Sequence, residues 1–387
     1  MTATTTNDKG GGSAGWADAL LLSFAQAGYE RAEPALLQPA EPFVDLSGED
    51  IRKSLYLTTD PSGEELCLRP DLTIPVARDY LASPSAGQPA GFSYLGSVFR
   101  YRWGRPSEFL QAGIESFGRQ DRAAADAEML ALALEATAAF GVSDVEIRTG
   151  DVALFNALID ALGLYPVWRR RLLKDFNRKV SLTDDIERLT LETSRNEYEG
   201  VLAALAGSDR KAALALVTDL MSIAGATTLG GRTVSEIADR FLEQSTLKAG
   251  ALPRDAVAII KRFLAISGDP GDAVAQLRAL ATDARLDITA AIDLLESRVG
   301  FMAARGIEIG RTRFSTSFGR GLDYYTGFEF ELHSKGDGVE PLVAGGRYDG
   351  LMTQLGAATP IPAVGFSVWV EAMTAIGRAP IAKRGRS

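Results

Sequence analysis

The sequence predicts an α+β fold in which a mixed domain of strands and helices is interrupted by a helical insertion. Three observations carry that prediction. Short strand-like and helical segments alternate from about Trp16 to Phe155. Residues 167–306 then turn rich in Ala, Leu, Glu and Arg at helical spacing. From Glu308 a strand pattern returns, clearest in Gly327-Phe-Glu-Phe-Glu-Leu-His333. At 387 residues the chain exceeds what one hydrophobic core usually supports, so two domains are the expectation.

Taken in order, Met1–Gly15 is Thr, Gly and Ser with scattered charge and reads as a disordered tail. Gly91–Arg102 reads as a strand ending in basic residues. Ala123–Phe140 is an alanine-rich helix with acids near its start and Gly141 just past its end, and Asp144–Arg148 is a short strand. In the middle region, runs such as Ile237–Leu242 and Ala256–Leu264 have helical spacing. Breaks at Gly207, Gly230 and Gly268–Gly271 divide it into about seven helices. In the last strand pattern, Phe328, Phe330 and Leu332 alternate with Glu329, Glu331 and His333, a period of two that marks a half-buried, antiparallel strand. His333 falls on its polar side and is read as a surface histidine. The expected layout is a discontinuous core of residues 16–166 and 307–378, an insertion at 167–306 and a basic tail at 379–387.

Composition narrows the function. No apolar run approaches the ~20 residues of a membrane span, so no membrane association is expected. A single cysteine, Cys67, excludes an internal disulfide and fits a reducing cytoplasm. With one cysteine and one histidine, no Cys/His metal site can be assembled within the chain. A net charge of −9 argues against nucleic acid as the main partner, because phosphate binding needs a basic face.

Several motifs carry a resemblance. Arg320-Gly-Leu-Asp-Tyr-Tyr-Thr-Gly327 and Ala344-Gly-Gly-Arg-Tyr-Asp-Gly350 resemble the amino-acid pocket of histidyl-tRNA synthetases. Gly96-Ser-Val-Phe-Arg-Tyr-Arg102 with Phe109–Gly118 is similar to motif 2 of the class II aminoacyl-tRNA synthetases, in its histidyl version. Leu66–Thr73 resembles a strand-to-helix segment of the same family, and Gly28-Tyr29 with Pro34 is similar to the dimer-forming motif 1. The motifs follow one another in that family's order, with the helical insertion between motifs 2 and 3. The resemblance implies the class II synthetase fold, an antiparallel sheet flanked by helices.

It also implies a histidine pocket. A zwitterion with an imidazole needs acceptors for its ammonium, a cation near its carboxylate and polar groups for the ring nitrogens. By resemblance, Asp71, Thr73 and Gln111 hold the ammonium, Glu115 and Tyr325 address the imidazole, and Tyr348 closes the pocket. Arg320 faces the carboxylate, and Tyr324 packs against the ring or fills core. Read alone, Asp71 after Pro70 is as well a helix cap, Gly345-Gly346 a tight turn, and Tyr324-Tyr325 a strand surface.

The departures from the family are equally informative. In Pro362–Ala372, which resembles the last ATP-binding motif, Ala372 stands where the synthetases place an arginine against ATP. Losing such a cation typically costs a factor of ~10² or more in rate. Trp369 replaces a residue that is usually small and is expected to crowd the nucleotide. The loop between Arg100 and Gln111 is shorter than in the synthetases, although Arg100 and Arg105 remain as a candidate vestigial anion or nucleotide site. Only sixteen residues follow Glu371, so no anticodon-binding domain is expected.

Together these features resemble the regulatory subunits of ATP phosphoribosyltransferase, synthetase-like paralogues that act in histidine biosynthesis. That resemblance implies no aminoacylation, no catalytic residue, no cofactor and no metal. It also implies L-histidine as ligand and the short-form catalytic subunit as partner, which it activates and helps to place under histidine feedback. A homodimer within a hetero-oligomer is expected. Two other readings stay open at this point, a histidyl-tRNA synthetase core lacking its anticodon domain and a synthetase-like binding module that senses no amino acid.

Overall fold

The computed structural model describes residues 10–46, 51–176, 182, 215, 252–322, 324–335 and 340–377. In chain order its strands are β1 (Glu30–Arg31), β2 (Leu37–Pro39), β3 (Leu57–Thr59), β4 (Glu65–Leu68), β5 (Ala90–Phe99) and β6 (Glu108–Phe117). There follow β7 (Val145–Asp151), β8 (Ser267–Gly268), β9 (Thr312–Ser315), β10 (Phe328–Ser334), β11 (Val343–Arg347) and β12 (Ala363–Trp369). The described helices are α1 (Gly10–Gln26), α2 (Glu41–Leu46), α3 (Thr73–Ala82), α4 (Arg122–Ala139), α5 (Val152–Ala161) and α6 (Pro166–Phe176). After them come α7 (Arg254–Leu264), α8 (Pro270–Ala284), α9 (Thr289–Ala304), α10 (Asp349–Gln354) and α11 (Val370–Ile376).

Nine strands form one sheet in the order β1-β5-β6-β12-β11-β10-β7-β9-β8, and β2-β4-β3 make a small second one. From β5 through β7 every pair is antiparallel. Only β1 with β5 and β7 with β9 run parallel. This is the expected α+β class, a sheet flanked by helices.

Period-two alternation divides the sheet into two faces with different tasks. Ile114, Phe328, Phe330, Leu332, Val343, Val364, Phe366 and Val368 pack against Leu20 and Phe24 of α1, Met129 and Leu130 of α4, and Met373 of α11. The other face packs Tyr94, Val98 and Phe117 against Ile74, Val76 and Tyr80 of α3, together with Tyr324, Tyr325 and Tyr348. That second face bears the cavity described below.

The sheet unit takes in the described residues up to Ala157 and those from Phe263 onward, and a second unit takes in those between Leu158 and Arg262. This boundary differs from the expected insertion at 167–306. Helices α8 and α9 belong with the sheet, and α9 packs on α4. The stripe of α9 that packs inward is Ile292, Leu295, Arg298 and Met302, so an arginine occupies one position of an otherwise apolar face. Its Nε donates to Asp126 of α4 at 2.9 Å and its Nη1 to Asp151 at 2.8 Å, while its guanidinium lies 4.8 Å from the Phe328 ring centroid. The other Asp126 oxygen accepts from Arg347 Nε at 2.8 Å. Composition marks α8 and α9 as helical without telling which body they join; the partners of Arg298 tie α9 to the sheet unit, and α8 packs on α9 and β9.

In the second unit, α6 buries Val167, Trp168, Leu172 and Phe176, and Arg169 pairs with Asp160 at 2.5 Å. The Ala256–Leu264 run falls on α7, whereas Ile237–Leu242 and the breaks at Gly207 and Gly230 lie outside the described residues, as does the basic tail. At the other end α1 begins at Gly10, so the part of the expected tail from Gly10 to Gly15 is helical. Trp16 anchors that helix by stacking on Phe140 at 5.0 Å.

Candidate functional site

The first turn of α3 begins the site. Asp71 precedes the helix, and its Oδ1 accepts from the Ile74 amide at 3.2 Å, which is the cap that the Pro-Asp pair suggests. Its Oδ2 is buried and has no hydrogen-bond partner among the described residues. Burial holds this carboxyl above the ordinary range, with Arg100 pulling it back. The cap therefore uses one oxygen of this side chain and leaves the other without a hydrogen bond.

Beside it, β6 presents Gln111 and Glu115 on the cavity face, four residues apart and so on the same side of the strand. Gln111 Oε1 accepts from the Leu72 amide at 3.1 Å, tying the strand to the start of α3. Glu115 is fully buried, with Tyr94 donating to Oε1 at 3.2 Å and Tyr348 donating to Oε2. Burial pushes its carboxyl up to about 8 against the pull of these hydroxyls. The neighbouring strand β12 makes room for it: a Cβ on Gly365 would fall inside the Glu115 carboxylate. Likewise a Cβ on Gly346 would lie 2.9 Å from Cε1 of Tyr325, so this glycine lets the tyrosine ring lie against the strand, while Gly345 makes room for Gly365 and Phe366 of β12.

The three tyrosines form the opposite wall. Tyr324 lies 4.8 Å from Tyr325 and meets Tyr348 edge to face at 5.9 Å. Arg320 donates from Nη1 to the Tyr325 hydroxyl at 2.6 Å and from Nε to Glu331 at 3.3 Å. Burial opposes its charge, but Tyr325 and Glu331 outweigh that and hold it protonated. Arg100 is different. Its Nε donates to the Pro70 carbonyl at 2.7 Å, and it has no carboxylate at ion-pair distance among the described residues.

All eight residues expected to bind histidine, Asp71, Thr73, Gln111, Glu115, Arg320, Tyr324, Tyr325 and Tyr348, line one cavity of about 170 Å³, and Arg100 lines it too. That volume falls below the roughly 300–1,000 Å³ of drug-sized pockets and suits a single small metabolite. Asp71 keeps one buried oxygen without a hydrogen bond, and Arg100 has no carboxylate at ion-pair distance among the described residues, so the cavity offers both an acceptor and a cation. A zwitterion satisfies both sides at once, which an apolar or singly charged ligand does not.

The structure separates the remaining candidates. Arg105 does not line the cavity and pairs with Glu340 at 2.5 Å on the surface. Trp369 does line it, on the same face of β12 as Gly365 and Ser367, while Ala372 packs against the apolar core behind the sheet. His333 is the clear correction: it is buried, 2% exposed, and its Nε2 shares a 2.9 Å hydrogen bond with Glu331 Oε2. Glu329 is buried beside it, accepts from the Arg320 amide at 2.8 Å and is pushed by burial up to about 8. The strand is thus buried on both faces, because Arg320 gives its polar side internal partners. Sequence reasoning missed Ser367 and Tyr94. Ser367 was accessible from the period of two along β12, but nothing in the sequence distinguishes Tyr94 from an ordinary core tyrosine. Among the described residues no cluster of His, Cys, Asp or Glu has the arrangement of a metal site.

Comparison with known proteins gives a consistent result. The family described as "Histidyl-tRNA synthetase" matches residues 14–241 and 241–373. An ATP phosphoribosyltransferase regulatory subunit of Brucella canis is 41% identical over 352 residues, covering 90% of this chain and 93% of the relative. The regulatory subunit of Brucella suis shows the same figures. Among solved structures, an ATP phosphoribosyltransferase regulatory subunit/histidyl-tRNA synthetase from Bacillus halodurans superimposes with a TM-score of 0.67 at 22% identity, covering 97% of this chain and 81% of that one. A histidyl-tRNA synthetase from Nostoc gives 0.61 at 18%, covering 94% and 70%. These two structures bear on the fold alone.

Proposed function

Because the chain belongs to the histidyl-tRNA synthetase family and, within it, groups with the ATP phosphoribosyltransferase regulatory subunits, we propose that it is the regulatory subunit of that enzyme in histidine biosynthesis. It is not catalytic alone. It associates with the short-form catalytic subunit, activates it and conveys feedback inhibition by L-histidine bound in the cavity. Histidine shifts the complex because it binds the active and inhibited arrangements unequally; only differential affinity moves an equilibrium. By linkage, the catalytic subunit alters histidine affinity in turn.

One observation supports this reading above the others. An amino-acid cavity complete in its acids, tyrosines and arginine lies beside β12, yet Ala372 on α11, at the family's ATP-arginine position, packs into the apolar core. Binding is retained where the means of activating a carboxylate with ATP is reduced. The exposed Leu37, just past Pro34 of the motif 1 match, and the exposed Leu57 of the same small sheet offer apolar surface for a homodimer within the hetero-oligomer. A place in the cytoplasm goes with this biosynthetic role. No described helix is long and apolar enough to cross a membrane.

The deciding experiment measures phosphoribosyl-ATP formation by the short-form catalytic subunit from the same organism, with and without this chain, across a histidine titration. Stimulation on mixing that histidine reverses is the expected result. No stimulation and no co-migration of the two proteins would overturn the assignment. Histidine-dependent ATP–pyrophosphate exchange by the chain alone would replace it with a synthetase.

A further inference from the structure

The motif Arg347-Tyr-Asp349 places three consecutive side chains in three environments. Arg347 is the last residue of β11 and projects to the helix-covered face, where it meets Asp126 of α4 at 2.6 Å. Tyr348 follows on the cavity face and donates to Glu115. Asp349 opens α10 and accepts from Arg347 Nη1 at 2.9 Å; the same oxygen, Oδ1, accepts from the Ala363 amide of β12, also at 2.9 Å. The backbone at Tyr348 is neither strand nor helix, with φ −140° and ψ 46°. Its amide donates to the Ala363 carbonyl at 2.8 Å, and the rest of its placement falls to what grips the residues on either side.

That grip is ionic and almost dry. Arg347 and Asp126 are buried, and Arg298 binds the second Asp126 oxygen. Burying such groups carries a heavy desolvation cost, so a buried network adds little net stability over apolar packing; what it does supply is fixed geometry. The guanidinium fork of Arg347 spans Asp126 on one side and Asp349 on the other, which leaves the chain between them little freedom to rotate.

We infer that Arg347 and Asp349 are positioning residues that hold the Tyr348 hydroxyl against Glu115 from the opposite face of the sheet, and so set the shape of the ligand cavity. This rests on the reading of the cavity as a histidine site. Neither residue is required to touch the ligand, and neither lines the cavity.

The test is a double-mutant cycle read by histidine calorimetry. Asp349→Ala keeps the Arg347–Asp126 pair and is the milder change; Arg347→Met is the stronger one. In the native background Asp349→Ala should weaken histidine binding roughly tenfold. In a Tyr348→Phe background, where there is no hydroxyl to place, the same change should cost less than about twofold. A residue that merely supports the fold would give the same penalty in both backgrounds, and that result would overturn the inference while leaving the histidine site in place. Unchanged affinity for Asp349→Ala in the native background would do the same. Absence of histidine binding by the unaltered chain would instead sink the histidine site, and this inference with it. Should Arg347→Met fail to fold, the Asp349→Ala cycle decides the matter alone.

Discussion

Replacing Glu115 by glutamine removes the titrating proton and keeps the shape. In the unfolded chain this carboxyl titrates near its ordinary value of 4.5, and in the fold burial pushes it to about 8. Between those values the folded state holds more protons than the unfolded state, so stability falls as pH rises. One such group lowers stability by about 1.4 kcal/mol per pH unit, or roughly 4–5 kcal/mol in total once the pH passes 8. Glu329, also pushed to about 8, adds a comparable share in the native protein. Glutamine cannot titrate, so Glu115→Gln should lose this group's share of the pH dependence. Its amide meets two tyrosine hydroxyls arranged for a carboxylate, an imperfect match costing about 1–3 kcal/mol. The variant should therefore be less stable than the native protein at pH 4.5, where the native carboxyl has lost almost nothing, and more stable by about 2–3 kcal/mol at pH 8.5. Urea unfolding at the two pH values measures this, and calorimetry at pH 8.5 should show histidine affinity reduced by at least about 2 kcal/mol. Parallel pH curves for the two proteins would refute the burial argument. An unaltered histidine affinity would refute the placing of Glu115 in the site.

Two other variants test neighbouring parts of the cavity. Asp71→Ala should weaken histidine binding by ~2–5 kcal/mol, since the ligand's ammonium loses its buried acceptor; the lost cap at Ile74 should lower stability by only about 1 kcal/mol, so urea unfolding should still show a cooperative fold. Gly365→Ala should abolish measurable histidine binding, because the new methyl displaces the Glu115 carboxylate; retained binding in the same calorimetric titration would show that β12 can shift to accept it.

How much of this was legible in the sequence varied with the kind of signal. The cavity residues lie in motifs whose order is distinctive, and the fold brings Asp71, Glu115 and Tyr348 together from three separate segments. The strand pattern at Phe328–His333 was also readable, yet it misled about His333. Alternation reports that one side is polar, not whether that polarity meets water or a buried arginine, and here Arg320 supplies the partner to Glu331. Arg105 shows a related limit: the resemblance to the motif 2 loop suggested an anion site shared with Arg100, but the loop turns it outward to Glu340. The buried ions were harder still. Arg298 interrupts the stripe of Ile292, Leu295 and Met302, which hints at an internal partner, while Asp126 lies 172 residues away in sequence and nothing local names it.

The alternation of β12 bears on how finely this protein can judge its ligand. Val364, Phe366 and Val368 are wedged into the core behind the sheet, while Gly365, Ser367 and Trp369 form part of the cavity wall on the other side. A wall of this kind cannot yield without disturbing close-packed side chains one residue away. The cavity therefore behaves as a fixed gauge rather than a closing hand. A ligand bulkier by one methyl group would meet a wall that does not move, at about 1–3 kcal/mol of overpacking. Recognition of this sort depends on the stiffness of the framework as much as on the hydrogen bonds it presents.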